Sequence, residues 1–141
     1  MRVLLDTNAL AASIVGANLG WTTPPAQIWR RWQQKQFTLL ISEHVMAELN
    51  TTLERPWFLA RLDPPARDLA IRDLGAIAEV VELVVRTTGV TSHMEDDLVL
   101  SAAVSGNADY LVTGDAEFRR VGEYQGVKLR TPAEFLRELG T

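Results

Sequence analysis

The stretch Arg2-Val3-Leu4-Leu5-Asp6-Thr7-Asn8 frames the reading of the whole chain. Val3, Leu4 and Leu5 are apolar at consecutive positions. That is the pattern of a short strand buried on both faces, as in a parallel sheet. Thr7 to Val15 then reads as a helix, stopped near Gly16. Asp6 therefore falls at the carboxyl end of a buried strand, where a carboxylate needs a partner. The same arrangement recurs in Tyr110-Leu111-Val112-Thr113-Gly114-Asp115, an apolar run followed within three residues by an acid.

Between these two stretches, apolar runs alternate with helical ones. Helices are predicted over 25–34, from an N-cap at Ser42 to about Glu54, and over 65–77. Strands are predicted over 37–41, 80–85 and 127–129. Pro56 ends the helix after Ser42, and Pro24-Pro25 and Pro64-Pro65 mark helix starts. Ser92-His93-Met94-Glu95 and Thr131-Pro132-Ala133-Glu134 both have the form of a capping box. Strands separated by helices imply right-handed crossovers: an α/β fold with a mainly parallel sheet and helices on both faces. In such a sheet the functional crevice lies beyond the carboxyl ends of the strands.

Length and composition agree with a single domain over residues 1–141. The chain has 141 residues, 47% of them hydrophobic and 23% charged, with a formal net charge of −4. It contains no cysteine, which excludes disulfides, thiolate metal sites and a cysteine nucleophile. No apolar run approaches the ~18 residues of a membrane span, and Asp6 interrupts the N-terminal run too early for a signal peptide. The expectation is a cytoplasmic protein without a membrane partner.

Four carboxylates can meet at one crevice. Asp6 and Asp115 follow strands, Asp97 lies in the first turns of the helix before Tyr110, and Glu48 lies on the helix after Ser42. Like charges held close together raise one another's pKa, and a divalent cation relieves the conflict. Oxygen donors without thiolate suit a hard ion, Mg²⁺ or Mn²⁺. Such an ion polarises a phosphate and acidifies water, so the chemistry implied is phosphodiester hydrolysis. Each acid also has a simpler reading. Asp115 fits a turn, Asp96 and Asp97 suit a helix N-terminus, and Glu48 fits a solvated face. Only the set as a whole points to a site.

Asp6-Thr7-Asn8, Glu48 within 42–49, Asp97 within 96–103 and Asp115 within 111–115 together resemble the PIN domain family. The resemblance is to the VapC-like toxins of type II toxin–antitoxin systems, and it spans nearly the whole chain. It implies a three-layer α/β/α sandwich around a five-stranded sheet of order 3-2-1-4-5. It also implies a metal-dependent endoribonuclease that cleaves RNA with one or two Mg²⁺ or Mn²⁺ ions, bound by Asp6, Glu48, Asp97 and Asp115. Asn8 and Thr113 would support the site. A cognate antitoxin and a homodimer or higher homo-oligomer are the implied partners. Asp97 is preferred to Asp96, because the apolar run Leu98-Val99-Leu100 follows it directly.

Weaker readings attach to other residues. Arg119 and Arg120, just after Asp115, are candidates for RNA phosphate contact. His44 shares a helix face with Glu48. Of Trp29 and Trp32, at helical spacing, one is expected in the core and the other at an interface. Three rival functions stay open: a PIN nuclease of RNA processing without an antitoxin, an aspartyl-phosphate enzyme, and a non-catalytic RNA-binding module. The second wants an acid at position 8 and a suitably placed lysine. The chain has Asn8, and its lysines are Lys35 and Lys128.

Overall fold

The fold is seen in a computed structural model, which describes residues 1–140. The chain begins with β1 (Arg2–Leu5), α1 (Thr7–Asn18) and α2 (Pro24–Gln33). Next come β2 (Thr38–Ser42), α3 (Glu43–Leu53), the single turn α4 (Pro56–Leu59) and α5 (Pro64–Ile77). β3 (Glu79–Val81), α6 (Met94–Ser105), β4 (Tyr110–Val112) and the short α7 (Ala116–Arg119) follow. The hairpin β5 (Glu123–Tyr124) and β6 (Val127–Arg130) leads into α8 (Pro132–Leu139).

The strands form one sheet of order β3-β2-β1-β4-β6-β5. All pairs are parallel except β5 with β6. The expected 3-2-1-4-5 core is present, with β6 in the fifth place. The sixth strand is an addition at the edge. Its hairpin turns through Gln125 (φ 47°) and Gly126 (φ 85°), two successive positive values, as a two-residue primed turn requires.

β1 is the centre of the sheet, flanked by β2 and β4. Val3, Leu4 and Leu5 are at most 2% exposed, so both faces of the strand are covered. α6 packs on β2 and β4, and α8 packs on β4 and β6. Their apolar residues join the strands in one continuous core that includes Leu40, Leu100, Leu111 and Phe135.

Several local expectations are corrected. α1 does not stop at Gly16 but runs through it to Asn18. Gly16 marks close helix packing instead: a Cβ there would lie 2.9 Å from Ala26 Cβ on α2. β3 covers only Glu79–Val81 rather than 80–85. Beyond it the chain is tied to α6 by Ser105, whose Oγ accepts from the Val84 and Val85 amides at 3.1 and 3.0 Å. The capping box at Ser92 does not form. His93 is the N-cap, without a side-chain bond, and Ser92 Oγ donates to Glu117 at 2.7 Å. The box at Thr131 does form. The Glu134 amide donates to Thr131 Oγ1 at 3.0 Å, and the Thr131 amide donates to Glu134 Oε1 at 2.9 Å.

Gly106, at the end of α6, offers a direct test of this packing. A Cβ there would sit 2.8 Å from Val81 Cγ2 and 3.0 Å from Leu40 Cδ1, both in the core. Overpacking of this kind costs about 1–3 kcal/mol. Gly106→Ala is expected to lower the urea midpoint at an unchanged m-value. An unchanged midpoint would show that β3 yields freely.

Candidate active site

β1 and β4 run side by side with Leu5 opposite Val112. The next residues, Asp6 and Thr113, therefore leave the sheet together at one edge. The Asp6 amide donates to the Val112 carbonyl at 3.0 Å, which fixes Asp6 against β4. Thr113 is fully buried, and its Oγ1 accepts from the Asp115 amide at 3.0 Å. Its hydroxyl proton is then available to Asp6, so Thr113 links the two acids.

Both acids also cap helices. Asp6 Oδ1 accepts from the Ala9 amide at 2.8 Å and opens α1. Asp115 Oδ1 accepts from the Glu117 and Phe118 amides at 2.9 and 3.3 Å and opens α7. A capping role does not compete with a site. Each cap uses Oδ1. The helix N-terminal amides also hold each carboxylate in one orientation.

Asp6 is electrostatically unusual. Burial pushes its carboxyl up to about 6, opposed by the Thr113 hydroxyl and the Ala9 amide. Asp96 and Asp115 raise it further by repulsion. Asp96 is itself raised, first by burial and then by Asp115. Three acids thus repel one another across a cleft of about 620 Å³ that all three line.

Asp96 lines this cleft and Asp97 does not. Asp97 is buried, 6% exposed. Its Oδ2 accepts from the Gly89 amide at 3.0 Å, and its Oδ1 accepts from the Thr91 amide and hydroxyl at 2.8 and 3.0 Å. It fastens the loop before α6. Successive helix residues point about 100° apart, so a choice of one position decides which acid faces the cleft.

Glu48, from α3, and Asn8, from α1, also line the cleft. His44 Nε2 lies 2.6 Å from Glu48 Oε1 but makes no well-aligned hydrogen bond. Arg119 and Arg120 do not line the cleft. Arg120 borders a neighbouring hollow with Asp96 and Glu117, and Arg119 is half-buried with an unpartnered Nε. Among the described residues the one basic side chain lining the cleft is Arg55. No spacing rule pointed to it; its position depends on Pro56 starting a new turn there. Trp32 is the core member of the tryptophan pair, 4% exposed, with Trp29 half-buried edge-to-face against it at 4.9 Å.

The donor set suits a hard divalent cation. It is all oxygen, and among the described residues Asp6, Asp96 and Asp115 have no cationic partner. Thr7 Oγ1, in the cleft wall, is buried without a partner. Among the described residues no three acidic or histidine side chains already converge as a closed ligand cluster. Also among the described residues, no helix is long and apolar enough to cross a membrane.

The sequence pattern of the PIN domain matches residues 2–117. No curated protein sequence matches the chain. Among solved structures, a chain in the crystal structure of VapBC2 from Rickettsia felis, bound to a DNA fragment from their promoter, has a similar fold. Its TM-score is 0.58 at 20% identity, covering 93% of this chain and 98% of that one.

Proposed function

The chain belongs to the PIN domain family, and on that premise we propose that it is a divalent-metal-dependent endoribonuclease, the toxin of a type II toxin–antitoxin system. The observation that carries this reading is that Asp6 and Asp115, which follow β1 and β4, and Asp96 of α6 line one cleft. Asp6, Asp96 and Asp115 would hold one or two Mg²⁺ or Mn²⁺ ions, with Glu48 completing the set directly or through water. A bound ion of this kind supplies phosphate polarisation and a water acidified enough to act as nucleophile.

The chain's own residues contribute position and charge. The helix caps hold the carboxylates of Asp6 and Asp115 in place. Thr113 holds the spacing between them. Asn8, exposed at the cleft edge, can donate to a phosphate oxygen. Arg55 can neutralise a phosphate that enters an otherwise acidic cleft. The similarity to a VapBC2 chain supports a partner antitoxin for this protein, and the family resemblance supports a homodimer in the cytoplasm.

Purified protein incubated with total cellular RNA tests the reading. Discrete fragments are expected with Mg²⁺ or Mn²⁺ and none with EDTA. Folded protein that leaves RNA intact in both metals would remove the nuclease. Fragments without an antitoxin gene beside this one would favour an RNA-processing enzyme.

A further inference from the structure

Two tryptophans lie outside the core. Trp21 is 38% exposed and Trp57 is 45% exposed. They meet edge-to-face with ring centroids 6.4 Å apart. The Arg61 guanidinium lies over Trp57, with Cζ 4.0 Å from the ring centroid, and Arg61 Nη1 donates to the Trp57 carbonyl at 2.9 Å. That bond fixes the cation on the ring.

This group adjoins residues of the cleft lining along the chain. Arg55 lines the cleft and is the N-cap of α4, whose second residue is Trp57. On the other side, the Trp21 amide donates to the Gly16 carbonyl at 2.8 Å, one helical turn beyond Ala12 of the cleft wall. A chain lying across Arg55 therefore reaches the two indoles within one turn.

We infer that Trp21, Trp57 and Arg61 form a stacking platform for unpaired bases of the RNA strand whose backbone passes Arg55 into the cleft. The inference rests on the nuclease reading and names its substrate as single-stranded. Arg61 occupies one face of Trp57, so a base would stack on the indole surface left uncovered, and Arg55 answers the phosphate that enters the cleft. A base inside a duplex has no free face, so the platform selects loops and single strands. An acidic peptide would meet repulsion from the neighbouring carboxylates.

Binding is best measured in the Asp6→Asn protein, which leaves the RNA uncut. The probe is a short fluorescein-labelled oligoribonucleotide of mixed sequence, followed by anisotropy without metal. Adding Trp57→Ala is expected to weaken binding on the order of tenfold. Trp57→Phe should keep most of the affinity, which separates stacking from loss of fold. An oligomer with abasic positions should bind the Trp57 protein as weakly as the intact oligomer binds Trp57→Ala. The salt dependence should not change, since no phosphate contact is removed.

Equal affinity for intact and abasic RNA would overturn the platform. So would an equal loss on duplex RNA, or a Trp57→Ala change that dissociates a dimer in sedimentation and so assigns the patch to a second copy. The two readings fail separately. Base-dependent binding that needs Trp57, in a protein that never cleaves, would keep the platform and remove the nuclease. Metal-dependent cleavage whose KM ignores Trp57→Ala would do the reverse.

Discussion

Asp6→Asn is expected to reduce metal-dependent RNA cleavage on the order of 10³-fold while making the metal-free protein more stable at neutral pH. The first effect follows from removing a ligand charge at the centre of the cleft, where metal stabilisation is worth several kcal/mol of barrier. The second follows from the raised pKa. The folded carboxyl titrates at about 6, against an ordinary value of 3.8. Between these values the folded chain binds a proton that the unfolded chain has lost. The stabilising contribution is therefore complete below pH 3.8 and disappears as pH rises through about 6. Above that, the wild type carries an uncompensated buried charge. Asparagine carries none and can still accept from the Ala9 amide.

Thermal melts at pH 7.5 in EDTA should then show Asp6→Asn more stable by on the order of 2 kcal/mol. At pH 4 the difference should close. Mn²⁺ should raise the wild-type melting temperature and leave the variant unmoved, because only the wild type gains a ligand. A variant less stable than wild type at pH 7.5 in EDTA would mean that the Asp6 charge is already compensated by the protein.

The second large effect is a split between neighbours. Asp96→Asn should fold normally and lose cleavage on the order of 10²-fold or more, as a cleft acid would. Asp97→Asn should lose stability instead. Its buried carboxylate receives two amides and a hydroxyl, and the amide group of asparagine turns a donor toward at least one of them. Bonds to a charged acceptor are worth about 1.5–3 kcal/mol, so a melting point lower by roughly 10 °C is expected. At a temperature where it remains folded, Asp97→Asn should cleave within a few fold of wild type. Full activity in Asp96→Asn, with activity lost in folded Asp97→Asn, would reverse the assignment.

This pair also shows where the sequence stops being informative. The fold was legible because parallel strands leave unbroken apolar runs, such as Val3-Leu4-Leu5 and Tyr110-Leu111-Val112, and because proline and capping residues punctuate the helices. Asp6 and Asp115 could be placed at one sheet edge on topology alone. Asp97 is preferred to Asp96 from the apolar run that follows it, but each suits the first turn of a helix, and only the start of α6 fixes which one lines the cleft. That start was misread at Ser92, whose hydroxyl goes to Glu117 across a contact between distant segments. The platform beside Arg55 was hidden for the same reason. Trp21 and Trp57 are far apart in sequence and meet only through tertiary packing. The β5 hairpin escaped notice because a strand of two residues carries no periodicity.

The pairing of β1 with β4 has a consequence for how the protein is made. The Arg2 amide donates to Asp109 Oδ2 at 2.8 Å across 107 residues. At ~5–20 residues per second, a ribosome takes roughly 5–20 s to travel between them. Throughout that interval β1 lacks one of its two neighbours, and Asp6 lacks Thr113 and Asp115. A nascent chain therefore cannot assemble its acidic cleft piecemeal. The site comes into being late and all at once, after most of the polypeptide has been synthesised, and until then the growing chain carries no complete active centre into the RNA-rich surroundings of its own translation.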